Sequence, residues 1–242
     1  MIMKNLKYLA IGALVALSLT SCDKDTEGLT DVLYYPVITV DGPSTVLLNV
    51  GDTYVDPGYS AELNGEDYTG NIQVTSNVDT NNPGFYTVTY SVANPEGFSA
   101  VASREVWVIN PGHFDNLYWA ECWHKTNAAR HYYNSPVSIV KYNNDGLYLI
   151  NDVLAGYYAY GIYPQYRNSY DFYAEAILQL DGTNVDMLAE GDWYFADPSD
   201  PEVMYDGTWD PETGVITYRL NYYVGGGVVL TPMTEENFAT GV

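Results

Sequence analysis

Gly84-Phe85-Tyr86-Thr87-Val88-Thr89-Tyr90-Ser91-Val92-Ala93 decides the fold. Tyr86, Val88, Tyr90 and Val92 alternate with Thr87, Thr89 and Ser91, so an extended chain here has one apolar and one polar face. That period of two marks a half-buried antiparallel strand. Downstream, the turn Pro95-Glu96-Gly97 leads into a second strand, Ala100 to Ile109. Upstream, Val37 to Val40 and Thr45 to Val50 are β-branched runs separated by the turn cluster Asp41-Gly42-Pro43-Ser44. Asn64-Gly65 adds a hairpin turn, because both residue types tolerate positive φ. Short strands spaced by turns predict a β-sandwich over residues 33–110. Asn110-Pro111-Gly112 then breaks the last strand and sets a domain boundary.

Residues 111–242 have a different composition: 17 of the 25 tyrosines and four of the five tryptophans fall here. Candidate strands are Tyr118 to His124, Val137 to Tyr142, Leu147 to Ile150, Tyr157 to Ile162, Ala174 to Leu180, Val185 to Leu188, Val215 to Tyr223 and Val228 to Thr231. Asn143 to Gly146, Asp181-Gly182-Thr183, Asp206-Gly207 and Asp210 to Gly214 read as the hairpin or bulged turns between them. The cleanest alternation places Ile216, Tyr218, Leu220 and Tyr222 on one face against Thr217, Arg219 and Asn221. No long stretch has helical periodicity, so the chain is predicted all-β, with an antiparallel barrel or sandwich in this half.

The N-terminus reads differently again. Lys4 and Lys7 precede the apolar run Tyr8 to Leu19, which small residues close. That is the pattern of a secretory signal over residues 1–21, too short for a stable membrane-spanning helix. Residues 22–32 are polar and acidic, which suits a tether. Removal of Lys4 and Lys7 leaves seven basic residues against 31 acidic ones, a formal charge of 7 − 31 = −24. Such a surface repels nucleic acid and anionic lipid and offers no phosphate-binding patch, so nucleic acid is excluded as a partner.

Leu19-Thr20-Ser21-Cys22 resembles a bacterial lipobox. The resemblance implies that Cys22 carries lipid and anchors the chain to a membrane. Acyl burial is worth about 0.8 kcal/mol per methylene, so several chains on one residue hold it firmly. Asp23, Lys24, Asp25 and Glu27 resemble the acidic export signal of Bacteroidota surface lipoproteins, which implies the outer membrane, facing the exterior. Cys122 is then left without a disulfide partner and is expected to be buried.

Gly51-Asp52-Thr53-Tyr54-Val55-Asp56-Pro57-Gly58-Tyr59-Ser60-Ala61, Asp79-Thr80, Pro83 to Tyr90 and Arg104-Glu105-Val106 resemble bacterial immunoglobulin-like surface domains. That implies a spacer or adhesion module without catalysis and names no binding residue. Asp145 to Asp152, Gly156-Tyr157-Tyr158 to Gly161, Asp181-Gly182 and Trp209 to Thr217 resemble the C-terminal β-domain that accompanies such modules in Bacteroidota surface lipoproteins. Many of these occur beside glycan-uptake systems. The partners thereby implied are an extracellular polysaccharide or oligosaccharide and an outer-membrane uptake complex.

A sugar ring presents a flat face of C–H bonds that lies well on an aromatic ring, and tyrosine adds a polar tip for the hydroxyls. The densest aromatic stretch runs from Tyr157 to Tyr173. Its part from Pro164 to Tyr170 reads as a loop, where aromatics are more often exposed. Tyr163, Tyr166 and Tyr170, with Trp193 as a fourth, are therefore the candidate glycan platform, weighed against a role as core side chains. Glu121, Cys122, His124 and His131 invite a metal or cysteine-catalysis reading, yet supply too few ligands for structural zinc. Glu175, Glu190 and Asp192 are unspecific as a glycosidase pair. Asp197 to Glu202 lacks a defined calcium-loop signature. No catalytic residue, metal or cofactor is expected. The reading is a non-catalytic glycan-binding surface lipoprotein. An adhesion or assembly protein and a glycan-processing hydrolase remain as alternatives.

Overall fold

The computed structural model describes residues 32–143, 146–197, 199, 204–221 and 226–241. The secretory signal, Cys22 and most of the tether lie outside them, as do Tyr222 and most of the Asp197 to Glu202 segment. Val32 to Tyr35 forms no regular element, and from Pro36 onward the chain is one unit.

Seven strands build the first domain: β1 (Val37–Val40), β2 (Thr45–Asn49), β3 (Tyr59–Leu63), β4 (Glu66–Asp67), β5 (Gln73–Ser76), β6 (Gly84–Ala93) and β7 (Ser99–Ile109). They form two sheets, ordered β1-β3-β4 and β2-β7-β6-β5. As the alternation requires, Val88, Tyr90 and Val92 of β6 are buried, and Val106 and Val108 of β7 join Val88 and Tyr90 in the core. Asn64 and Gly65 both take positive φ in the β3–β4 turn. This is an immunoglobulin-like sandwich.

The Asp-Pro-Gly turn is part of its scaffold. The Asp56 carboxylate accepts the Gly58 N–H at 2.9 Å and the Tyr90 hydroxyl, and lies 3.7 Å from the fully buried Arg104 guanidinium. Arg104 in turn donates to the carbonyls of Asp41 and Pro43. A buried cation is costly unless paired and hydrogen-bonded, and here carboxylate and carbonyls enclose it.

Eight strands form the second domain: β8 (Leu117–His124), β9 (Asn127–Lys141), β10 (Leu147–Ile150), β11 (Ala176–Asp181), β12 (Asn184–Glu190), β13 (Met204–Trp209), β14 (Ile216–Leu220) and β15 (Gly227–Pro232). Each pairs antiparallel with the next and β15 closes onto β8, so the domain is an up-and-down barrel. Closure removes the open sheet edges. Ile216, Tyr218 and Leu220 point inward and are buried, as do Tyr118, Ala120 and Cys122 of β8.

Two expectations are corrected. Tyr157 to Ile162 is a π-helical turn, and a 3-10 turn follows over Pro164–Tyr166. Asp206-Gly207 is an irregularity within β13, with Asp206 at φ 52°, and not a hairpin turn. Residues 151–175, between β10 and β11, fold against the barrel interior: Val153, Leu154, Ala155, Tyr157 and Ala159 are fully buried in its core.

The outer face of β6–β7 meets the outer face of β8. Leu47, Phe85 and Trp107 from the sandwich pack on Leu117, Trp119 and Met233 from the barrel. Leu117 and Trp119 alternate with inward Tyr118 and Ala120, so β8 is buried on both sides and reads as a nearly unbroken apolar run.

Candidate functional site

The insertion owes its shape to Asp152. Its carboxylate accepts backbone N–H groups from Leu154 at 3.1 Å, Gly156 at 2.8 Å and Ala174 at 3.2 Å, tying the start of the insertion to its end. Burial pushes this carboxyl up to about 7, against the pull of those three donors. Gly156 has φ +77°, and a Cβ there would stand 2.2 Å from Ser135 Oγ, so only glycine fits where the π-helical turn begins.

From that turn a ladder of rings runs outward. Tyr158 contacts Trp193 at 5.4 Å and Phe195 at 5.0 Å, and Tyr163 stacks on Phe172 at 5.3 Å. Tyr170 lies 5.7 Å from Phe172, 6.0 Å from Tyr166 and 4.8 Å from Tyr194. Tyr166, Tyr170 and Tyr194 are 48%, 45% and 52% exposed, and form a ridge backed by buried Phe172.

The four sequence candidates therefore divide. Tyr166 and Tyr170 stand in solvent, and Tyr163 is half-buried beneath them. Trp193 corrects the expectation of an exposed platform: it is 7% exposed, wedged against Tyr158, with its indole N–H donating to Glu190 Oε1 at 2.6 Å. Tyr194, one residue on, takes the exposed place. Residues 193–196 form a turn, closed by the Ala196 N–H on the Trp193 carbonyl at 2.9 Å, that sends the two neighbouring rings to different sides.

Beside the ridge lies a cleft of about 550 Å³ between the two domains. Trp107 of β7 and Tyr160 and Tyr173 of the insertion supply rings, while Asp171, Glu175 and Asp192 supply carboxylates. The Arg167 guanidinium sits 4.7 Å over the Tyr160 ring and holds it by a cation–π contact. Tyr170 and Phe172 face the ridge while Asp171 and Tyr173 line the cleft, so one extended segment serves both. The cleft is of ligand-pocket size and combines apolar faces with hydrogen-bond acceptors. Sequence reasoning missed it because Trp107 and Tyr173 meet only through domain packing.

Cys122 is fully buried, and its thiol, 3.5 Å from the Ala155 carbonyl, is pushed well up by burial. A raised pKa suppresses the thiolate that nucleophilic chemistry needs. Among the described residues no three His, Cys, Asp or Glu side chains are grouped to hold a metal. No described helix is long and apolar enough to cross a membrane.

Fold and sequence together define a two-domain all-β protein, an immunoglobulin-like sandwich followed by an eight-stranded antiparallel barrel. Residues 38–108 match the family of bacterial surface protein immunoglobulin-like domains, and residues 114–232 match a BT2262-like C-terminal domain. The chain thus carries one domain of each family in that order. It is similar in structure to the lipoprotein BT2262 from Bacteroides thetaiotaomicron, at 25% identity and a TM-score of 0.56, over 81% of this chain and all of that one. Two multidomain chains of Clostridium perfringens ZmpB that include CBM51 domains align at 14% and 12% identity. Their TM-scores are 0.26 and 0.27, with 84% and 85% of this chain and 44% and 22% of theirs covered, too low to carry an argument. None of the curated proteins compared matches the chain.

Proposed function

We propose that this is a surface lipoprotein, anchored through Cys22 to the outer membrane and facing outward, that binds extracellular glycan without chemistry of its own. The supporting observation is the segment Tyr170 to Tyr173, which gives one ring to the exposed ridge and a carboxylate and a ring to the cleft. A sugar chain would lay its C–H faces on Tyr166, Tyr170 and Tyr194 and direct hydroxyls to Asp171, Glu175 and Asp192. The domain order 33–110 then 111–242 puts the sandwich nearer the tether along the chain, as a stalk.

The test is a glycan-array screen of residues 29–242, followed by affinity gels loaded with each positive polymer. Retention lost in the Tyr166→Ala/Tyr170→Ala/Tyr194→Ala variant supports the reading. Undiminished retention removes the ridge from it. Release of reducing ends from the bound polymer would replace binding with hydrolysis.

A further inference from the structure

Charge is unevenly distributed along this chain. Between Asp115 and Asp145 the sole acid is Glu121, against Lys125, Arg130 and Lys141, formally 3 − 1 = +2 within a protein of −22. His124 and His131 fall in the same stretch, which forms the hairpin β8–β9.

The hairpin is irregular. Trp123 pairs with His131, but the next pairing is His124 with Asn127, so residues 128–130 of β9 have no partners on β8. The excess opens the ladder, as a bulge does. A hollow of about 460 Å³ results, lined by Glu121, Trp123, His124, Lys125, Thr126 and His131 among others.

Its one acid is already engaged. Glu121 Oε1 lies 2.7 Å from His131 Nε2, while the Tyr133 hydroxyl meets Nδ1 at 3.0 Å. Lys125 is exposed and makes no ion pair among the described residues. His124 Nδ1 accepts the Thr126 backbone N–H at 3.2 Å, so a neutral ring carries its proton on Nε2 and donates from there. The Trp123 indole lies against Gly227, where a Cβ would stand 2.2 Å from the ring, and is thereby fixed as a wall. The hollow offers an ammonium outside any ion pair, Lys125, and an imidazole N–H, His124, beside a rigid aromatic face. At physiological salt, charges beyond about 8 Å are largely screened, so local residues outweigh the acidic remainder of the molecule.

We propose that this hollow is a second binding site, independent of the ridge and cleft, that takes an acidic sugar residue. The carboxylate or sulfate of the sugar meets Lys125 and His124, and its C–H face lies on Trp123. An inorganic anion would use the donors and leave the aromatic wall idle.

Calorimetric titration of the full chain with trigalacturonate, its methyl ester and a sulfated galactose trisaccharide tests this. The carboxylated or the sulfated sugar binds, and which of them does so identifies the anion. Loss of a charge-assisted hydrogen bond corresponds to about tenfold in affinity, so the ester and the Lys125→Ala variant each bind about tenfold more weakly. Lys125→Arg, which keeps the charge, retains binding. The tenfold effect of Lys125→Ala persists when it is made in a Tyr166→Ala/Tyr170→Ala background, which separates this site from the ridge. Where the carboxylated sugar binds, equal affinity of its ester overturns the proposal; for whichever sugar binds, unaltered affinity in Lys125→Ala does so, as does no binding of either anionic sugar.

Discussion

The Tyr218 hydroxyl donates to the Val153 carbonyl at 2.6 Å, joining strand β14 of the barrel wall to the insertion across the interior. Tyr218 is 2% exposed and Val153 is fully buried. Main chain brought into an apolar interior must find partners for its polar groups. This bond and the contact of the Cys122 thiol with the Ala155 carbonyl supply them where no strand ladder does.

Replacing Tyr218 by phenylalanine keeps the ring and strands the carbonyl. An unsatisfied buried acceptor costs about 1 to 3 kcal/mol. Urea denaturation of Tyr218→Phe is expected to show a loss of that size with an unchanged dependence on denaturant. An unshifted midpoint would mean that the carbonyl has another partner.

Asp152 makes stability depend on pH in an unusual direction. Its folded pKa, about 7, lies above the ordinary value of 3.8, so between these limits the folded chain holds a proton that the unfolded chain releases. This contribution is complete below pH 3.8 and is lost as pH rises towards 7, with a slope of up to about 1.4 kcal/mol per pH unit. Asp67, Asp79, Asp197 and Asp210 act oppositely: their carboxyls are held below the usual range by hydrogen bonds, so what they contribute is lost as pH falls. The Asp152 share is isolated by subtraction. The stability of the wild type minus that of Asp152→Asn is expected to fall from pH 4 to pH 7 and then level off. A flat difference would place the Asp152 pKa at its ordinary value.

Much of the architecture was legible where a strand is buried on one face, as at β6 and β14, because alternation then records the sheet directly. Tyr157 to Ile162 was misread because tyrosine has high strand propensity. The two left-handed residues ahead of it, Ala155 and Gly156, and the buried Asp152 override that local preference. β13 was missed because Asp206-Gly207 imitates a turn. Of the site, Tyr166 and Tyr170 were legible from the loop around them, Trp193 was placed on the wrong side, and Tyr194 and the cleft went unseen. The cleft is lined by residues far apart in sequence, such as Glu105 and Glu175, whose meeting around one space no local pattern encodes.

The ridge and the rings beneath it should respond differently to truncation. Tyr166→Ala and Tyr170→Ala remove half-exposed rings and are expected to leave stability within about 0.5 kcal/mol. Trp193→Ala empties a buried position and removes the hydrogen bond to Glu190, at a cost of about 3 to 5 kcal/mol. Thermal melts beside retention on a glycan gel distinguish the two cases. A destabilised Tyr166→Ala would make that ring part of the core.

Trp107 couples the two domains. Its indole contacts Phe85 at 4.9 Å within the sandwich, and Trp119 at 5.8 Å and Phe238 at 5.5 Å on the barrel side. Its N–H donates to Glu105 Oε2 at 3.0 Å, which orients the ring over the interface. Trp107 is absent from the main cores of both domains, so its removal should weaken their docking more than either fold. In scanning calorimetry the wild type is expected to unfold in one transition and Trp107→Ala in two, because neither domain would then stabilise the other. Trp107 also lines the cleft, so the same variant should lose affinity for any polymer bound there even at temperatures where both domains remain folded. A single transition in Trp107→Ala at the wild-type temperature would show that the remaining apolar contacts, Leu47 on Leu117 and Met233, suffice to hold the domains together.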